Sequence, residues 1–479
     1  MALDDTQQRQ GKLPVKMKLG YAIGQLSDSI GFNVFYIYFL YFLTDFAGIS
    51  AGTAGTIVLI AIGWDAITDP IVGNISDNLR SKWGRRRPMM IASLVPYCIC
   101  MFLLFNDVAI SPEYKWIYFT FIAILFWSTY KVFVIPFFAL GAELTDDFNE
   151  RTSLRVWASV CLYSAVLTAS TVPPTIRGIA EGAGMSPTQG WSLVAFALAL
   201  AIAFTIIVCW YFTKGGERPL AEEHPDAPKD GFIKDLLVNM RQIITLRAAA
   251  YLAGSVFLWS LVSAMNSGAL VYLMNSNLGY GLDDQTLCFG IYSLLAIAWL
   301  PAINYCSERF DKKNVYCAFL LTAGVMMSAF YMIGFASMGI LVVFLAFCQL
   351  GNSTFWTLYY SMMYDISEID EFKSGKRREG AIAALMSFSQ KLGSAVALWL
   401  MGMVLELGGY DGMSDTQSPE ALNAIIDVNT WIPGGIGILA ALFAILYPVT
   451  RPRFNALLKA LEAKRAKREY GTEEFEKLL

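Results

Sequence analysis

Apolar residues run along this chain in stretches of about 20 or more, each ended by a short polar break, and that alternation sets the architecture. A stretch of roughly 20 residues matches the hydrocarbon thickness of a bilayer when it is helical. The runs predict twelve spanning helices. Six lie at 20–45, 52–76, 88–106, 115–140, 155–174 and 191–213, and six at 248–275, 285–306, 314–336, 338–363, 380–405 and 430–449. Between the sets, 214–247 is polar, with Gly215, Gly216, Pro219, Pro225 and Pro228 before an amphipathic piece from Phe232 to Arg247. The expected organisation is a six-helix bundle over 1–213, a cytoplasmic central loop over 214–247, a second six-helix bundle over 248–449 and a cytoplasmic tail over 450–479. The fold class is an all-α polytopic membrane protein.

Lys and Arg orient the series, because they collect on the cytoplasmic side. With the N-terminus inside, all 36 of them fall in inward segments except Lys115, Arg177, Lys131 and Lys391. Both termini are therefore expected in the cytoplasm, and Lys131 and Lys391 stand out inside predicted spans. The first apolar run is long and follows a basic segment, so it is expected to stay as a helix.

Composition narrows the classes further. Of 479 residues 56% are hydrophobic and 16% charged, against about 25% charged in soluble proteins. The net charge of −3 says nothing about nucleic acid, and no basic domain stands apart. Eight scattered cysteines have no paired or metal-ligand spacing and read as small buried hydrophobes. The single histidine, His224, sits in the central loop, and no Gly-rich phosphate loop or Cys/His cluster supports an enzyme or an ATP-driven pump. Neither cofactor nor metal is called for.

Candidate chemistry lies in charges that the membrane should exclude. A charged side chain at mid-bilayer is costly, so it faces a cavity or a partner. Asp65 and Asp69 are four residues apart in the second span, which puts both carboxylates on one helical face. They repel, so one takes up a proton unless a cation intervenes. Lys131, in the middle of the fourth span, is the natural partner. Two negative charges and one positive leave room for one monovalent cation, as in a symporter. The alternative is a permanent salt bridge with the lysine ammonium in the place of the ion. Asp28 in the first span is either cavity-facing or an interhelical partner. Beyond Asp69 comes a loop with Asp77 and the basic set Arg80, Lys82, Arg85, Arg86 and Arg87. Its counterpart in the second half carries Glu308, Arg309, Asp311, Lys312 and Lys313. Two six-helix halves with matched acidic-then-basic loops suggest the major facilitator architecture.

The chain resembles the glycoside–pentoside–hexuronide:cation symporters, the family of the melibiose permease. The resemblance rests on Trp64-Asp65-Ala66 with Asp69-Pro70 and on Arg80-Ser81-Lys82-Trp83-Gly84-Arg85. Thr129-Tyr130, Ile135-Pro136-Phe137, Glu150-Arg151, Phe355-Trp356, Asp365-Ile366 with Glu368, and Lys391 with Gly393-Ser394-Ala395 extend it. It implies a major facilitator fold, alternating access and uptake driven by H⁺ or Na⁺. Asp65 and Asp69 then hold the coupling cation, and Lys391, with Ser387 nearby, links the cation and substrate sites. Tyr36, Tyr130, Phe138 and Trp356 fall beside the substrate path, as aromatic stacking partners for a sugar or as packing. Asp77 and Arg85 belong to the cytoplasmic gating loop. Asp365 and Glu368 close the tenth span as gate or helix-end residues.

Departures from the melibiose permease matter as much. Its sugar-holding carboxylates and arginine fall on Ser29, Val134 and Ser159 here, and Lys131 replaces a hydroxyl-bearing cation ligand. A galactoside therefore does not carry over. The favoured function is symport of a sugar, glycoside or uronide across the bacterial inner membrane by a monomer, with H⁺ favoured over Na⁺. An acidic sugar is preferred if Lys391 is an unmatched cation. The rivals are a carrier of lysolipid- or steroid-like amphiphiles and a sensor that binds without transporting.

Overall fold

A computed structural model describes residues 12–478 apart from 80, 82, 109, 146, 217–231, 376, 377, 415, 467 and 470. Helix dominates, and twelve helices are long and apolar enough to cross a membrane. They are α1 Val15–Asp45, α2 Ala51–Ser76, α3 Arg87–Leu104, α4 Pro112–Glu143, α5 Glu150–Gly182 and α6 Pro187–Phe212. The series continues with α7 Arg247–Asn277, α8 Leu282–Phe310, α9 Lys312–Ile333, α10 Met338–Ser374, α11 Glu379–Leu407 and α12 Pro419–Leu446. A helix α13, Arg451–Arg465, follows. His224 and most of the central loop lie outside the described residues, as does the side chain of Asp77.

Local chemistry explains most of the boundaries. Ser50 accepts from the Thr53 N–H at the start of α2, and Asp147 does the same for Glu150 before α5. Ser186 and Gln189 form a reciprocal capping box on α6. Gly334 ends α9 and Gly375 ends α10, both at positive φ, where a Cβ would be strained. The expected span 338–363 runs on to Ser374, so Asp365 and Glu368 lie inside α10 rather than at its end. No glycine or proline interrupts residues 364–374, and the basic loop begins only after Gly375. Two spans are broken. The helix in α8 pauses at Trp299, just before Pro301, and α12 pauses at Thr430. A π-helical turn at Phe35–Phe39 widens α1 in its aromatic stretch.

The described residues fall into two compact units. The first draws on Met1–Ala227, Met274–Ser293 and Gly402–Ala421. In it α1 packs against α5, α6 and α4, α2 against α4, and α3 against α4 and α6. Two carboxylates bind Gly402–Ala421 into this unit. Glu406 accepts from the Gly52 N–H and, at 3.0 Å, from the Ser50 hydroxyl, while the Tyr410 hydroxyl donates to Asp45 at 2.8 Å.

The second unit draws on Pro228–Leu273, Leu294–Met401 and Leu422–Leu479. Its α9 and α12 touch through glycine: a Cβ on Gly324 would lie 2.8 Å from the Ile438 nitrogen and 2.9 Å from the Gly434 carbonyl oxygen. Such close backbone approach is how membrane helices gain packing energy without help from water.

Candidate functional site

In the first unit, α2 carries Asp65 and Asp69 one turn apart, and α4 presents Lys131 to both. The lysine Nζ lies 3.0 Å from Asp65 Oδ1 and 3.0 Å from Asp69 Oδ1. Asp65 is shut in, with 4% of its side chain exposed, whereas Asp69 keeps 33%. Helix spacing dictates the aspartate pairing, and α2–α4 packing brings the lysine. The Trp64 indole N–H donates to the Ser128 hydroxyl at 2.9 Å, pinning the two helices one turn from the charges. Pro70 supplies no N–H to the carbonyl of Ala66, which leaves polar backbone beside the acidic pair.

Next to Lys131, Tyr130 turns the other way. Its hydroxyl donates to Asp28 Oδ1 at 2.6 Å, and its ring centroid lies 5.3 Å from the Lys131 Nζ. The Gln25 amide donates to Asp28 Oδ2, and the Ser29 hydroxyl reaches the same oxygen at 3.4 Å. Asp28, Tyr130, Lys131, Asp65 and Asp69 thus form one polar string across α1, α4 and α2. Of the other residues expected here, Tyr36 is buried in the π-turn with its ring edge-on to Trp127 at 6.2 Å. Phe138 is 39% exposed beside Phe137, and Ser159 is exposed and bonded to its own helix.

The basic loop after α2 is tied down by a residue that the sequence motifs did not single out. Arg85 and Arg86 both donate to Glu143 Oε1 at 3.1 Å, at the end of α4. Arg86 also donates to Ser76 at 2.8 Å, and Arg87 donates to the Trp210 carbonyl while lying 4.7 Å over its ring. The available signal was a carboxylate seven residues after Pro136, at the end of the same span as Lys131.

The second unit holds Trp356, Ser387 and Lys391, all half-buried. Trp356 packs 5.3 Å from Phe355 and 6.0 Å from Tyr359, whose hydroxyl reaches Gln390 at 3.5 Å. Lys391 is engaged within the structure. Asp365 is buried and paired with Lys312 at 2.6 Å, while Glu368 lies 3.6 Å from Arg465 of α13. The same arginine binds Glu371 at 2.7 Å. Asp370 is bound by Arg378, whose guanidinium is held further toward its charged form by that carboxylate.

Comparison with known proteins gives the family and the fold. The Putative glycoside/cation symporter YagG of Escherichia coli (strain K12) is 26% identical over 95% of this chain and 96% of its own length. The Glucuronide carrier protein homolog of the same organism is 23% identical over 93% of this chain and 94% of its own. Among solved structures, the nucleoside transporter NupG (D323A mutant) superposes with a TM-score of 0.64 at 12% identity, covering 90% of this chain and all of NupG. That likeness identifies the fold as the major facilitator fold, in a multi-pass membrane protein. Residues 20–451 match the family described as MFS/sugar transport protein, and the chain belongs to that family of transporters rather than to any class of enzyme.

Proposed function

We propose that the protein is a cation-coupled symporter of a sugar or glycoside, uronides included, working by alternating access in a bacterial inner membrane. Both termini face the cytoplasm, and the halves 1–213 and 248–449 rearrange around the substrate. Protons drive it in preference to sodium.

The position of Lys131 supports this reading most directly. An ammonium 3.0 Å from each of two carboxylates holds the ground a sodium ion would need. A second cation at about 4 Å from it meets roughly 4 kcal/mol of repulsion at an effective dielectric near 20. A proton avoids that penalty by joining a carboxylate oxygen, the exposed Asp69 first, and releasing the lysine. The substrate class is supported by the family and by relatives named as glycoside and glucuronide carriers. Asp28, Ser29, Tyr36, Tyr130 and Phe138 serve it from the first unit, and Trp356, Ser387 and Lys391 from the second.

Reconstitution in proteoliposomes tests the proposal. Labelled neutral and acidic glycosides are offered under an imposed proton gradient and, separately, under a sodium gradient at fixed pH. Accumulation should follow the proton gradient. Accumulation that follows sodium alone refutes the choice of ion, and binding without accumulation makes the protein a sensor. Competition between matched neutral and acidic glycosides then fixes the class, and competition by lysolipids alone would favour the amphiphile carrier.

A further inference from the structure

Three carboxylates share the polar string of the first unit, and only two of them meet the lysine. Asp28 is the fourteenth residue of a 31-residue span and therefore sits near mid-membrane. Its oxygens accept from Tyr130, Gln25 and Ser29, all neutral donors. Among the described residues no lysine or arginine nitrogen comes within 4.0 Å of it. The titratable and charged groups facing it are few. From α4 come the Tyr130 hydroxyl and, behind that ring, Lys131, already committed to Asp65 and Asp69 of α2. From α3 comes Tyr97, whose hydroxyl donates to the Ser27 carbonyl at 3.0 Å. Arg155 of α5 lines a cavity with Tyr21, almost two turns away along α1, and Cys209 of α6 packs against Gly24. A carboxylate inside a membrane span with no cation beside it is neutralised by a partner or by a proton.

We propose that Asp28 is a proton-binding site in its own right, separate from the Asp65–Asp69 pair, with Tyr130 and Gln25 positioning its carboxyl group. The first unit then offers two places for a proton: the charge left on the acidic pair after Lys131 is counted, and Asp28. They communicate through adjacent residues, because Tyr130 holds Asp28 and Lys131 holds the pair. Any part Asp28 plays in driving transport rests on the proton-coupled function proposed above; its protonation does not.

The test therefore uses no substrate and no gradient. Full-length transporter in detergent is treated with dicyclohexylcarbodiimide across a pH series. This reagent adds the O–H of a carboxylic acid across its N=C=N group and rearranges to a stable N-acylurea without losing an atom. Peptide mass spectrometry should find the acylurea on Asp28, with labelling that declines as pH rises. In parallel, proton uptake after a downward pH jump should fall by one proton per molecule in Asp28→Asn and return in Asp28→Glu. Asparagine keeps the size and the acceptor oxygen for Tyr130, and the thermal midpoint of the variant checks that it is folded. Two results overturn the proposal: Asp28 unlabelled at every pH while other carboxylates react, or unchanged proton uptake in folded Asp28→Asn. A carrier that proves sodium-driven but still labels at Asp28 loses the proposed coupling ion and keeps this site.

Discussion

Lys131 stands 3.0 Å from each aspartate, so neither carboxylate can be removed without changing what the lysine sees. Asp65→Asn and Asp69→Asn should each abolish uptake against a gradient while leaving exchange of substrate across the membrane partly intact. Normal accumulation in both variants would place coupling elsewhere. Lys131→Thr returns a neutral oxygen ligand to the position and frees the pair for a metal cation. That variant should gain sodium-stimulated uptake, or a rise in thermal midpoint on adding sodium, where the parent shows neither. The two aspartates were legible because a four-residue spacing fixes a face. The Tyr130–Asp28 hydrogen bond was not, since it depends on how α1 and α4 meet.

Helix ends and loops show where sequence patterns thin out. Twelve apolar runs located twelve spans, because the hydrophobic pattern reports the bilayer directly. It does not report helix that projects beyond the bilayer, and so the last turns of α10 went unseen. Glu143 belongs to the same blind spot: it looks like any polar residue after a span, yet Arg85 and Arg86 converge on it. Removing one partner of a buried ion pair costs on the order of 3 kcal/mol. Glu143→Ala should therefore lower the thermal midpoint clearly, and Glu143→Asp much less, as read by thermal unfolding in detergent. A second element-level test concerns α9 and α12. Gly324→Ala puts a methyl group against the Gly434 carbonyl and the Ile438 nitrogen, and two helices that cannot part lose stability. A midpoint equal to the parent's would show that the contact is loose.

At the scale of the whole molecule, the major facilitator fold was readable from loop charges and helix count, since both follow from topology. The segments Met274–Ser293 and Gly402–Ala421, which pack with the N-terminal helices in the first unit, were not, because sequence order does not say which ends meet. The proposed alternating access requires such contacts to open and re-form, and Tyr410–Asp45 and Glu406–Gly52 are among the polar ones, with Ser170–Ser293 and Thr175–Thr286. Tyr410→Phe should raise the reactivity of a cysteine placed at the buried position Ala47, which leaves Asp45 and Ser50 in place, toward a membrane-impermeant thiol reagent; an unchanged rate would show that the hydroxyl holds nothing closed. The lysine on α4 has a different kind of reach over the cycle. It is an ion that cannot diffuse away, present at an effective concentration of at least the order of millimolar at its own binding site. Sodium or lithium in the medium must outcompete this intramolecular inhibitor, however steep their gradients. A proton adds to a carboxylate oxygen instead of claiming the same space, so a carrier coupled to protons as proposed would ignore the salt around it while still reading pH.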